Sequence, residues 1–134
     1  MASYAIDFIR PMQAVIPVMQ TDQDRKLTFD LYMDGIAYDP LLDLGVQTDV
    51  DLFRIDYLLP NGTKGSYDTV HSSQAYHVQQ TRIDVVLKQE MLALPGKVIM
   101  NIVMQLERVS GNLELRAFPV ILDVCPAAVP STLQ

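Results

Sequence analysis

Tryptophan is absent from this chain, cysteine occurs once and histidine only twice. The single thiol, Cys125, excludes an intrachain disulfide and any two-thiol redox pair or cysteine-rich zinc site within one chain. Lack of Trp removes the largest aromatic platform for stacking sugars or bases. Basic residues are also scarce: ten Lys and Arg stand against sixteen Asp and Glu, giving a net charge of −6, and no Lys/Arg run occurs. Proteins that grip a phosphate backbone gather cations to displace its counterions, so nucleic acid is not an expected partner. No apolar run approaches the roughly 20 residues needed to span a bilayer, and Met1-Ala2-Ser3-Tyr4 lacks the basic and apolar regions of a signal peptide. The expectation is a soluble product kept in the cell that makes it unless carried out by lysis, with no membrane partner.

What is present points to a folded domain. Hydrophobic residues make up 49% of the 134 and charged residues 19%, a balance that can fill a core without metal or disulfide staples. Period-two alternation, which sends successive side chains to opposite faces of a sheet, dominates the chain. Val98, Met100, Ile102, Met104 and Leu106 form one face of the clearest strand, with Lys97, Asn101, Gln105 and Glu107 on the other. Ile99 and Val103 interrupt that polar face, so part of it should also be covered. Phe53, Ile55, Tyr57 and Leu59 alternate with Arg54 and Asp56 before Pro60-Asn61-Gly62, which predicts a strand, a tight turn and a return over Ser66 to Val70. Leu27, Phe29, Leu31 and Met33 lead in the same way into Asp34-Gly35 and Ile36-Ala37-Tyr38.

Shorter alternating runs occur at Tyr4-Ile6-Phe8, Ile83-Val85-Leu87, Leu113-Leu115-Ala117 and Val120-Leu122-Val124. Pro17 demotes Ala14 to Met19 to an edge or bulged strand, because proline cannot donate to a ladder. Only Lys88 to Leu94, closed by Pro95-Gly96, has helical character, about two turns of it. The expected fold is all-β: a two-sheet β-sandwich, Ig-like or jelly-roll-like, of about eight or nine strands with one short helical turn. Residues 1–125 form the domain, and 126–134, with Pro126 and Pro130, an extended C-terminal segment or linker.

Catalytic or metal chemistry needs clusters of His, Cys, Asp or Glu that a fold can bring together. His71 and His77 have no metal-ligand spacing and read as loop residues. No Gly-x-Ser-x-Gly elbow supports a triad from Ser72, His77 and Asp68, and no glycine-rich phosphate loop occurs. The pairs Asp22 and Asp24, Asp39 and Asp43, and Asp49 and Asp51 match no EF-hand loop and read as turn residues that bond their own backbone. Tyr4, Phe8, Phe29, Phe53 and Tyr57 fall on apolar faces and are expected in the core, as are most of the seven Met residues and Cys125. Tyr32, Tyr38, Tyr67 and Tyr76 are the candidates for an exposed protein-interaction surface. No catalytic residue, cofactor or metal site is expected, and the chain is read as a binding protein and not an enzyme.

Three stretches resemble the N-terminal domain of the phage baseplate upper protein family. They are Tyr4-Ala-Ile-Asp-Phe8, then Leu27-Thr-Phe-Asp-Leu-Tyr-Met-Asp-Gly35, then Ile83-Asp-Val-Val-Leu-Lys-Gln-Glu-Met-Leu-Ala-Leu-Pro-Gly-Lys-Val98. The likeness spans most of residues 4–125, with 38–48 and 69–81 unmatched. It implies a phage structural protein of the virion, assembled in the host cytoplasm. Such a protein docks on the baseplate or tail, supports host-attachment parts, binds other virion proteins and forms a homo-oligomer. The alternatives are a module that binds host-surface carbohydrate through Tyr32, Tyr67 or Tyr76, and a fibre or decoration protein on the capsid surface.

Overall fold

The computed structural model describes residues 3–11, 14–22, 25–40, 42, 53–68, 76–108 and 111–126. They build two sheets packed face to face. The five-stranded sheet has the order β1 (Tyr4–Asp7), β3 (Lys26–Met33), β8 (Arg82–Val86), β7 (Tyr76–Gln79), with β4 (Ile36–Ala37) also paired to β3. The six-stranded sheet runs β2 (Ala14–Met19), β11 (Val120–Cys125), β9 (Gly96–Arg108), β5 (Phe53–Leu58), β6 (Lys64–Asp68), with β10 (Gly111–Arg116) on the far half of β9. The β1–β3 and β2–β11 pairs are parallel and the others antiparallel.

The alternation read from sequence is the alternation that fills the core. Leu27, Phe29 and Leu31 of β3 meet Ile83 and Val85 of β8 on the inner face of the five-stranded sheet. Val98, Met100, Ile102 and Met104 of β9 face them from the other side, beside Phe53 and Ile55 of β5 and Val120, Leu122 and Val124 of β11. Rings tie the layers together: Phe8, just beyond β1, lies 6.3 Å from Phe53 by centroids. The β2 strand is an edge, as Pro17 requires: with β11 as its one neighbour, half of its backbone groups need no ladder partner.

Both hairpins form where Gly-containing turns predicted them. Asp34 and Gly35 adopt φ of 53° and 81°, the paired positive values of a two-residue turn whose twist suits β3 and β4. Gly62 has φ 88°, and the Asn61 side chain accepts a bond from the Thr63 N–H in the turn from β5 to β6.

Several expectations are corrected. Eleven strands are described instead of eight or nine; β7 lies within 69–81, where His71 and His77 are expected in a loop. His77 therefore stands in a strand, though its side chain, and all of His71, lie outside the described residues. The two helical turns reduce to a single 3-10 turn, Gln89–Leu92, held by Met91 N–H to Lys88 O at 3.0 Å. Pro95 blocks its extension, and Met91 and Leu92 plug the end of the core. Cys125 is half-buried instead of buried: with Val120, Leu122 and Val124 inward, period two sends residue 125 outward. The expected C-terminal segment is outside the described residues from 127 onward.

Candidate interaction surface

The four tyrosines singled out from sequence do not form one surface. Tyr67 is a core residue, 3% exposed, and that part of the expectation is overturned. Its strand reads Lys-Gly-Ser-Tyr-Asp, too polar to reveal an inner face, yet hairpin register places it opposite the buried Ile55. Its hydroxyl crosses between sheets to donate to the Val86 carbonyl at 2.9 Å, and the Lys88 ammonium sits 5.0 Å from its ring centre. Burial first, with Tyr57 and Glu90 adding to it, pushes its phenol well above the usual range. Tyr38 is half-buried and packs edge-on against Phe8, 6.2 Å between centroids. Tyr32 is half-buried and stands opposite Asp7 in register. The backbone of Tyr76 is in β7; its side chain is outside the described residues.

Among the Asp residues read as turn formers, Asp22 accepts from the Met19 N–H and pairs with Arg25, and Asp39 accepts from the Leu42 N–H. Asp24, Asp43, Asp49 and Asp51 lie outside the described residues. Among the described residues no group of three or more His, Cys, Asp or Glu is placed to hold a metal ion. No helix among them is long and apolar enough to cross a membrane.

The two outward faces of the sandwich differ in chemistry. On the five-stranded sheet polar groups satisfy one another across strands: Thr28 donates to Asp84 at 2.7 Å, and Arg82 pairs with Asp30 at 3.1 Å. The six-stranded sheet carries a four-member ion network instead. Arg54 reaches Asp56 at 2.8 Å and Glu114 at 2.6 Å, while Arg116 reaches Asp56 at 3.0 Å. Register puts Arg54 and Arg116 on either side of Val103, which is 0% exposed. The Arg side chains thus account for the cover over Val103, whereas Ile99, between Leu58 and Ile121 in register, is half-buried.

The network shifts its own titrations. The hydrogen bonds it donates to Asp56 and Glu114 hold the Arg54 guanidinium more firmly protonated. Burial would raise the Asp56 carboxyl, but Arg54 and Arg116 outweigh it and hold it below the usual carboxylate range; the Arg54 hydrogen bond lowers Glu114 likewise. Replacing Arg54 with Ala should cost about 1–2 kcal/mol near neutral pH, since part-buried charged hydrogen bonds are lost and Val103 is uncovered. Depressed carboxylates stabilise above their unfolded pKa values and stop doing so as pH falls through the folded ones. Denaturant melts across the acid range should therefore show the wild-type advantage shrinking as pH drops.

Beside the network lies an open groove of about 570 Å³, lined by Asp56, Leu58, Lys64, Ser66, Ile99 and Asn101 among others. Two local features shape it. Gly65 of β6 leaves room for the Tyr57 ring, with which any Cβ would collide. Between β10 and β11 the pairing with β9 gains one residue: Arg116 pairs with Val103 but Val120 with Met100. This bulge, centred on Ala117-Phe118-Pro119, is closed by Ala117 N–H to Ile102 O and by the Asn101 amide to Ala117 O, both at 3.0 Å. It leaves Phe118 41% exposed.

Fold and surface together define a two-sheet, all-β sandwich whose most distinctive exposed chemistry is an ion-paired outer sheet face. No protein-family model matches the sequence, and no curated protein matches it. Solved structures do match. One is the N-terminal domain of phage TP901-1 ORF48, with a TM-score of 0.57 over 92% of this chain and 98% of that one, at 11% identity. At that identity the likeness is one of fold.

Proposed function

We propose that this chain is a non-enzymatic structural component of a phage virion, docking on the baseplate or tail and supporting the parts that attach to the host. The observation that carries the reading is the near end-to-end overlap with a phage protein's N-terminal domain, 92% of one chain and 98% of the other. A phage origin is also what the stretches ending at Phe8, Gly35 and Val98 imply by their resemblance. The exposed chemistry suits a protein that binds by surface: its ions are paired with one another instead of converging on a reaction centre. The carbohydrate reading loses Tyr67 to the core, and with it one of its three stacking residues.

Particles produced by the genome that encodes this chain decide the matter. The chain should be present in purified particles in fixed copy number, and antibodies against it should label the tail end in electron micrographs. Its presence in the lysate together with its absence from particles refutes the assignment.

A further inference from the structure

Hydrogen-bond parity decides which edges of the six-stranded sheet are open. The Leu59 N–H donates to Thr63 O at 2.8 Å, so the antiparallel β5–β6 ladder is bonded through Tyr57–Gly65 and Ile55–Tyr67. The N–H and C=O groups of Lys64, Ser66 and Asp68 therefore point away from β5, and none has a partner among the described residues. The β2 edge is built differently. Its Gln20 N–H donates to Cys125 O, so residues 15, 17 and 19 turn their main-chain groups outward. Pro17 has no N–H to offer there. Met19 is capped at both groups: its N–H donates to the Asp22 carboxylate and its C=O accepts from the Asp22 N–H, both at 3.0 Å. One edge is closed against a further strand and the other is left open. Side chains along β6 are small where a neighbour would lie. At Gly65 the Tyr57 ring occupies the place of a Cβ, and at the exposed Ser66 the groove over Leu58 and Ile99 reaches the edge. Asp68 stands opposite Arg54 in register, whereas the exposed Lys64 has no ion partner among the described residues.

We propose that β6 takes up an extended segment of another virion protein as an added strand. This edge is then the surface of the docking role proposed above, and its assignment rests on that role. Main-chain chemistry selects the occupant. Donors and acceptors that face one way from every second residue are matched by another extended main chain, and not by a sugar or a helix. Side chains narrow the choice. On the outer face the segment places a long apolar side chain opposite Ser66, reaching across it toward Leu58 and the groove, and a carboxylate opposite Lys64. A second copy of this chain is the poorer fit: two β6 strands paired antiparallel about their midpoint match Lys64 with Asp68 but set Ser66 against Ser66, leaving the groove unfilled.

Amide exchange in the free chain, followed by NMR, tests whether the edge is open. Lys64 and Ser66 should exchange at nearly open-chain rates, and Gly65 and Tyr67 about a hundredfold or more slowly. A Ser66 amide that is protected in the dilute chain, or becomes so as concentration rises, overturns the proposal, because the edge is then filled by the chain itself or by a second copy. Particles from the encoding genome test whether the edge is used. Ser66→Pro removes a free-edge N–H and no ladder bond, and should lower the copies per particle about tenfold or more by quantitative mass spectrometry. Lys64→Glu keeps the backbone, reverses the charge and should lower them about fivefold; it carries the comparison if circular dichroism shows Ser66→Pro unfolded. Val15→Pro makes the same backbone change on the closed β2 edge and should leave the copy number unchanged. A folded Ser66→Pro or Lys64→Glu chain at the wild-type level, or an equal loss in Val15→Pro, overturns the proposal and leaves the virion assignment standing. Wild-type chain missing from the particles refutes that assignment and the added strand with it.

Discussion

Replacing Phe53 with Ala should destabilise the domain by about 4 kcal/mol and lower its melting temperature by roughly 10–20 °C. Phe53 is 0% exposed at the start of β5, opposite Met104 in register and within ring contact of Phe8 from the other sheet. Truncation removes transfer free energy and also leaves a cavity between two β layers, whose hydrogen-bonded backbones resist collapsing into it. Phe53→Leu keeps most of the volume and should cost about 1.5 kcal/mol or less. Urea denaturation of the three proteins checks the order; a loss below about 1 kcal/mol for the Ala variant would mean that the layers close freely.

Asp7→Ala is expected to cost about 3 kcal/mol. Its carboxylate, 2% exposed, accepts four backbone N–H groups: Ile9 at 2.8 Å, Arg10 at 2.9 Å and Asp34 at 3.0 Å on one oxygen, and Gly35 at 2.7 Å on the other. One side chain thereby fastens the end of β1 to the β3–β4 turn. Asp7→Asn separates charge from shape, since its oxygen can keep three of the donors while its amide opposes the Gly35 N–H; it should fall between wild type and Ala. Burial raises the Asp7 carboxyl, but the four N–H donors outweigh it and the net pKa lies below the ordinary 3.8. A depressed carboxylate contributes stability above the unfolded value and loses it as pH falls through the folded one. The gap between wild type and Asp7→Asn should thus be full at neutral pH and close below about pH 4; a gap independent of pH would show that geometry, not charge, holds the corner.

Much of this architecture was legible in the residues themselves. Alternation at Leu27 to Met33 and at Val98 to Met104 marks the strands that carry the core, because the inward positions there are occupied by large apolar side chains. Where a strand lacked that contrast, reading failed. Tyr67 stands among Lys64, Gly65, Ser66 and Asp68, which hide its inner face, although counting outward from the Asn61-Gly62 turn places it opposite Ile55. β7 failed for the same reason, and the ion network was invisible because Arg54 and Glu114 are 60 positions apart.

Sequence by itself determined an all-β chain, the turns at Asp34-Gly35 and Asn61-Gly62, and that β2 is an edge or a bulged strand. Each follows from a local rule: period two, positive φ at Gly or Asp, and the missing N–H of Pro17. Only the tertiary structure decided that β1 runs parallel to β3 and β2 to β11, that Asp7 meets the Asp34-Gly35 turn, and that Val15, Ile121, Ile99 and Leu58 share one row. The physical reason is register between strands distant in the chain. It is set when two whole sheets bury their apolar faces together, and a shift of one residue would turn every side chain to the opposite face.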